Sequence, residues 1–411
     1  MATASSDQPT PSSPPQPPLY FFGRPWPDLN EGLSYTDIVR RTNAVTRTPP
    51  RSKGKFLFQC QLTSYFLLIA LLLDLCSWLH RIRNGQITVE GQVVRDPNTI
   101  LREGSIVVYH RFPWKEPFAP HLLEVLYEDD DMVAINKPSG LQVLPGGLFQ
   151  QRTVLTQLQW KEWRKPSEFC SKRKTAQSHP VPVHRLGRGT SGILLCAKTK
   201  LAKVSLASYF SEGTANAGVD RDDTELCKAR RISKFYRALV TGIPENDEVT
   251  IKQPIGLVHY PGVAQGLYVA LSSGKPATSK VYVLERNLQR NQALVQVEIH
   301  SGRPHQIRIH LAFLGHPLLD DPLYDVGGQP KFYGPESTND CFAEDGGYQK
   351  PIQPVPGDCG YHLHAHQLVL CHPNTNETVK ITAPLPQILQ IQQELDQSRL
   401  AEYTMMSNSC R

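Results

Sequence analysis

The chain has 411 residues, 40% of them hydrophobic and 20% charged, with a net charge of +6. That balance belongs to a soluble globular protein of about two or three folded units and excludes a wholly disordered chain; the mild positive charge permits a polyanionic partner without requiring one. The nine cysteines are scattered with no C-x-x-C pair, which excludes a disulfide framework and predicts reduced thiols in an intracellular protein, cytosolic or nuclear in preference to organellar.

Residues 1–28 open with "MATASSDQPTPSSPPQPP", a Pro/Ser-rich composition that predicts a disordered tail. Arg24 is the first basic residue, so the tail is a poor transit peptide. "LSYTDIVRRT" has the pattern of an amphipathic helix capped by Ser34 or Thr36. Arg40, Arg41, Arg47, Arg51, Lys53 and Lys55 then fall in a stretch with no acid between Asp37 and Asp74. The apolar run Tyr65–Leu73 is far shorter than the about 20 residues of a membrane span, so membrane insertion is not expected. Residues 45–77 read as an interruption. Trp78–Arg83 predicts a short helix with His80, Arg81 and Arg83 turned to solvent, ended by Asn84-Gly85. "QITVEGQVV" predicts a hairpin turning at Glu90-Gly91, and "GSIVVYH" a further strand.

The composition changes near Pro113. "LLEVLYEDDDMVAINKPSG" reads as a strand, an acidic turn and a strand ending at Lys137-Pro138. A second basic cluster, Arg152–Lys174, carries Trp160 and Trp163; cations interleaved with aromatics suit single-stranded RNA, the alternative being a solvated face. "KVSLASYF" is helical in pattern, and "SKFYRALVTG", "SKVYVLERN" and "ALVQVEIH" are strands. "HQIRIH" reads as a strand that puts His310 on the face of Arg308, with His305 nearby; packing or an RNA-backbone contact suits either histidine. Residues 326–360 predict a long loop. "YHLHAHQLVLCHP" predicts a strand with His362, His364 and His366 on one face near Cys359, a set read as sheet-face histidines in preference to zinc ligands. "LPQILQIQQELDQ" predicts a terminal helix, and residues 401–411 a tail. Many strands and few helices imply an α+β fold with a mixed, largely antiparallel sheet.

"VPVHRLGRGTSGILLCAKT" sets basic and small polar residues in a glycine-rich turn between apolar runs, with no carboxylate from His184 to Thr199. "GRGTSG" lacks the Lys-Ser/Thr of a phosphate loop, and Thr190 and Ser191 read as turn-formers. The blocks "INKPSGLQV", "HRLGRGTSGILL", "KFYRALVTG" and "SGRPHQIRIHLAFLGHPLLDDPLY" follow in that order. Together they resemble the pseudouridine synthases of the RluA type, from Leu123 to His372, with departures like those of a plant branch of that family. Residues 29–112 resemble an S4 RNA-binding module, interrupted at 45–77, and residues 113–400 the catalytic domain.

The resemblance implies isomerisation of uridine to pseudouridine in ribosomal, transfer or messenger RNA. It implies a monomer with no metal and no organic cofactor, acting on a base flipped out of its stack. By the same resemblance Arg308 is the cation that holds the catalytic carboxylate ionised, and Tyr236 packs on the uracil and moves a proton. Arg185 fills the vacated stack or meets phosphate. His184, Arg188, Lys137, Arg81 and Arg83 are further RNA-contact candidates, with Lys137 alternatively shaping its strand end. The family's catalytic aspartate is the fourth residue of a His-Arg-Leu-Asp motif, and here that residue is Gly187. Glycine can be neither nucleophile nor base. Replacement acids would come from Asp220, Asp222, Asp223 and Glu225 or from Asp129–Asp131. The alternative is an RNA-binding homologue with little or no activity. If only the acid is missing, Gly187→Asp should raise activity.

Overall fold

The computed structural model describes residues 20–26, 38–41, 60–61, 79, 81–102, 105–110, 116–147, 149–160, 176–215, 232–260, 263–331 and 359–397. Strands in chain order are Tyr20–Phe22 (β1), Ile38–Arg41 (β2), Cys60–Gln61 (β3), Ile87–Val89 (β4), Gln92–Val94 (β5), Ile100–Leu101 (β6) and Ile106–Tyr109 (β7). There follow Leu123–Glu128 (β8), Met132–Lys137 (β9), Ala176–Pro182 (β10), Ser191–Thr199 (β11), Ile232–Thr241 (β12), Glu248–Ile251 (β13), Ile255–Tyr260 (β14) and Val263–Ala270 (β15). Ser279–Asn287 (β16), Gln292–Ile299 (β17), Tyr324–Asp325 (β18), Gln329–Pro330 (β19), Leu363–Cys371 (β20) and Thr378–Thr382 (β21) complete the set.

The N-terminal strands form a small sheet in the order β2-β7-β4-β5. Its hairpin turns at Glu90 and Gly91, both with positive φ (50° and 78°), as a two-residue turn that follows strand twist requires. Of "LSYTDIVRRT", where a helix was expected, the described residues Ile38–Arg41 form a strand antiparallel to Ile106–Tyr109. Ile38 and Val39 are β-formers, and a strand edge of Ile106-Val107-Val108 outweighs the local helical pattern. Residues 81–83 are helical as expected. Arg81, however, is not turned to solvent. It is 3% exposed, with its guanidinium 5.2 Å from the Tyr109 ring centroid, while Arg83 is exposed. β3 pairs β6, so part of the 45–77 interruption is built into the fold. The run Tyr65–Leu73 lies outside the described residues, and no described helix is long and apolar enough to cross a membrane.

The main sheet has 11 strands, in the order β1-β8-β9-β11-β20-β12-β17-β16-β13, with β10 on β11 and β21 on β20. All pairings are antiparallel except β11 with β20, so the sheet is mixed as expected. Side chains alternate between two buried faces. Val133, Ile135, Leu194, Cys196, Ala238 and Val240 share one cluster, while Met132, Ala134, Ile193, Leu195 and Ala197 lie in the other. The second cluster is covered by the predicted helix, Lys200–Ala215, through Leu206 and Tyr209. The edge strand β1 belongs to the range expected to be a tail. Tyr20–Phe22 pairs with Leu123–Val125, Trp26 Nε1 donates to the Ala119 carbonyl at 2.6 Å, and Gln157 bonds both backbone groups of Arg24. Residues 1–19, 161–175, 216–231, 332–358 and 398–411 lie outside the described residues. They hold most of the predicted tail, Trp163, the four acids from Asp220 to Glu225, most of the predicted loop and the C-terminal tail.

"HQIRIH" is not a strand. Gln306–Phe313 is a helix entered through His305 in the left-handed region (φ 56°) and ended before Gly315 (φ 89°). It lies between two clusters, with Ile307 and Leu311 in one and Ile309 and Ala312 in the other. A helix buried on both sides shows no single apolar stripe, so its alternating sequence imitates a strand. The predicted terminal helix is a 3-10 turn, Gln387–Leu389, followed by helical residues 392–397.

Candidate active site

Three neighbouring strands position the site. Ala365 in β20 lies opposite Gly192 of β11 on one side and Tyr236 of β12 on the other. Two strand spacings, about 10 Å, therefore separate the start of β11 from Tyr236. Gly192 has φ 103°, and a Cβ there would stand 2.3 Å from the Ala365 carbonyl oxygen, so this approach requires glycine. The "HRLGRGT" loop is thus delivered to the same sheet edge as Tyr236. The Tyr236 side chain is 8% exposed, and burial pushes its phenol well above its ordinary value, so it stays protonated at neutral pH.

Arg308 is 2% exposed and is not an orphan. Its Nε and Nη2 donate to the two carboxylate oxygens of Asp321, both at 2.7 Å. Asp321 Oδ1 also accepts the backbone N–H groups of Leu323 and Tyr324. The guanidinium carbon lies 4.2 Å from the Tyr361 ring centroid and 5.0 Å from that of Tyr324. Burial alone would lower the Arg308 pKa, but hydrogen bonding and charge from Asp321, with Tyr361 and Tyr324, raise it. Nη1 is buried with no hydrogen-bond partner among the described residues. The acid that pairs Arg308 was present in "LLDDPLY" and went unrecognised; an Asp after a turn-forming run carries no sequence mark of its partner on the preceding helix.

Gly187 is exposed, and its surroundings are specific. A Cβ at this position would lie 2.9 Å from Tyr361 Oη and 3.4 Å from Thr190 Oγ1. Those two hydroxyls are hydrogen-bonded to each other at 3.1 Å. Tyr361 is 4% exposed and was missed by sequence reasoning.

The other predicted residues divide. Arg185 is exposed beside Gly187, as an RNA contact needs. Arg188 is half-buried, its guanidinium 5.0 Å from the Phe149 ring centroid. Lys137 is fully buried, and Nζ donates to the carbonyls of Pro138, Leu141 and Arg188 at 2.8, 2.7 and 3.1 Å. It joins two loops and does not present its charge to RNA. His184 is half-buried, stacked on Phe210 at 4.4 Å, with Nε2 accepting the Leu195 N–H at 2.9 Å. Burial, with the Lys234 charge, lowers its pKa to about 3, so it is a neutral structural ring. His310 is fully buried between Ser279 Oγ and the Gln253 carbonyl, both at 2.9 Å, and His305 Nδ1 meets Tyr324 Oη at 2.8 Å.

The β20 histidines serve separate contacts. His364 Nδ1 meets Ser191 Oγ at 2.8 Å, His366 Nδ1 lies 2.9 Å from the Ala383 carbonyl, and His362 is 3.6 Å from Asp320. Among the described residues no group of three or more His, Cys, Asp or Glu could hold a metal ion. Asp129–Asp131 are removed from the site. They precede β9 at the end remote from Lys137, about 20 Å along the strand, and are tied to Tyr127, His372, Thr199 and Asn374.

Residues 131–313 match the RNA pseudouridylate synthase family. RNA pseudouridine synthase 5 of Oryza sativa subsp. japonica is 68% identical over 395 residues, covering 96% of this chain and 97% of that relative. RNA pseudouridine synthase 5 of Arabidopsis thaliana is 60% identical over 91% of this chain and 98% of its own length. Ribosomal large subunit pseudouridine synthase D of Pseudomonas aeruginosa is 31% identical over 76% of this chain and 83% of that relative. With identities of 68% and 60% to these relatives over nearly their full length, and with the mixed sheet described above, the chain belongs to the RNA pseudouridylate synthase family.

Proposed function

We propose that this chain converts uridine to pseudouridine in a structured RNA, without a cofactor, although position 187 carries no acid. One observation carries the reading: Arg308 is buried in the site and, among the described residues, paired on one edge only. A buried guanidinium is expensive unless paired. Here it is held by Asp321 on one edge and flanked by the rings of Tyr361 and Tyr324, with Nη1 left over. A site relieved of catalysis would have little reason to keep such a cation.

Exposed Arg185 occupies the place vacated by the flipped base or meets the adjacent phosphate, and Tyr236 lies against the uracil as a proton donor. Arg83 and Arg188 add charge toward the RNA backbone. The protein works as a monomer in a reducing compartment, in keeping with Cys196 and Cys371 as free thiols. The test is incubation of purified protein with cellular RNA from cells lacking the modification, followed by nucleotide-resolution mapping. A defined new pseudouridine supports the reading. Tight, salt-sensitive RNA binding with no new site would replace it with the RNA-binding alternative.

A further inference from the structure

Position 187 lacks a side chain, but the space a side chain would enter is filled by Tyr361 Oη, 2.9 Å from where a Cβ would stand. We propose that Tyr361 is a catalytic residue of this synthase, its oxygen serving as the base that the missing carboxylate would have provided. The inference rests on the proposed uridine isomerisation. Three observations converge on this oxygen.

It belongs to the residue whose ring centroid lies 4.2 Å from the Arg308 guanidinium carbon, so negative charge that develops on this oxygen would sit beside a fixed cation. It is hydrogen-bonded to Thr190, in the same loop as Gly187, which fixes its direction. Among the described residues Arg308 keeps one buried nitrogen, Nη1, with no partner, so the cation has capacity for an anionic group that arrives or develops during reaction. Asp321 cannot take the role. Both of its oxygens are engaged by Arg308, and Oδ1 accepts two backbone N–H groups besides.

The step balances. As the N1–C1′ bond lengthens, positive charge on C1′ acidifies the C2′ hydrogen, so a weak base suffices. Tyr361, its phenol proton first released to solvent beside the Arg308 charge, takes that proton as a phenolate, and the C2′–H electrons become a C1′=C2′ bond. The N1–C1′ pair leaves on the uracil, whose negative charge faces Arg308. After the uracil turns, C5 bonds to C1′ while C2′ recovers its proton from the Tyr361 hydroxyl. C5 then sheds its own proton and N1 takes one up. Nothing is oxidised or reduced, and the phenolate is restored.

Tyr361→Phe keeps the ring on Arg308 and removes one oxygen. Single-turnover pseudouridine formation should fall by about 10²–10⁴-fold, the usual contribution of a positioned base, with RNA affinity unchanged and thermal midpoint within a few degrees of wild type. A merely structural tyrosine would not respond to isotope, so the wild-type rate is also measured on RNA carrying deuterium at C2′ of the target uridine. A primary isotope effect is expected. Full activity in Tyr361→Phe, or a slow variant whose parent shows no isotope effect under single turnover with chemistry limiting, would overturn the assignment and leave the synthase reading standing. A wild-type protein inactive on every RNA would overturn both.

Discussion

Gly187→Asp restores the residue that the family places at this position, and its effect can be worked out from the geometry. The β-carbon alone would stand 2.9 Å from Tyr361 Oη and 3.4 Å from Thr190 Oγ1, before the carboxylate is added. Tyr361 cannot simply swing aside. It is 4% exposed, belongs to the main core cluster, and is stacked on Arg308. Forcing extra atoms against such a ring costs about 1–3 kcal/mol. The attraction of a new carboxylate to Arg308 works the other way, but position 187 is exposed and ion pairs at exposed positions are worth about 0–1 kcal/mol. Overpacking therefore wins. At about 2–4 °C per kcal/mol, a net cost of up to about 3 kcal/mol should lower the thermal midpoint by up to about 12 °C, and turnover should fall because the Tyr361 oxygen is displaced. Gly187→Asp combined with Tyr361→Phe removes the oxygen in contact, so the pair should be more stable than the sum of the single changes and should regain turnover over Tyr361→Phe alone. The assay is differential scanning calorimetry of the four proteins with single-turnover pseudouridine formation. An unchanged midpoint with increased turnover in Gly187→Asp alone would show that the pocket holds room for the acid and would refute the argument.

Other consequences follow from burial. Asp321→Asn leaves the Arg308 charge buried with a neutral partner, and urea unfolding should show a loss of about 3–5 kcal/mol; a loss below about 1 kcal/mol would contradict the buried pair. Lys137→Met strips three carbonyls of a donor and should lower stability without changing the salt dependence of RNA binding. Arg185→Gln should do the reverse, lowering the slope of log affinity against log salt by about one with the midpoint intact. An exchange of these two phenotypes would reverse the roles assigned to the residues. His184 and His310 have folded pKa values lowered by burial to about 3 and about 4, below an unfolded value near 6.5. The unfolded chain thus binds their protons more readily, so the stability they contribute is complete above about pH 6.5 and is lost as pH falls toward 4 and then 3. His310→Gln should reduce the fall in urea midpoint between pH 6.5 and 4, and an identical pH profile would count against the assignment.

The strands of the main sheet were legible because their β-branched runs and glycine turns are local signals. The Glu90-Gly91 hairpin and the helix through "KVSLASYF" were legible for the same reason. What the sequence concealed is burial. Arg81, Lys137 and His184 all carry nitrogen suited to RNA, and nothing in their neighbours announces that each is spent inside the protein on a ring, three carbonyls or a backbone amide. Arg185 and Gly187, in the same motif as His184, do reach the surface. The helix carrying Arg308 was hidden by apolar contacts on two sides. Tyr361 was hidden by distance, since its partner Thr190 is 171 positions away in the chain and only the sheet brings them together.

The place of β20 in the sheet bears on how the protein is made. β20 lies between β11 and β12, and no other described strand joins the β1-β8-β9-β11 half to the β12-β17-β16-β13 half. A ribosome delivers β11 and β12 long before it delivers Leu363–Cys371. Until then the nascent chain holds two half-sheets, with the β12 edge and the start of β11 lacking the strand that joins them, and the Gly187 loop has neither Tyr361 above it nor a fixed relation to Tyr236. Chaperone protection of those edges during synthesis follows from this order. So does a lag between the appearance of the RNA-facing loop and any competence to act on RNA, which keeps an unfinished chain from reacting with the many transcripts around it.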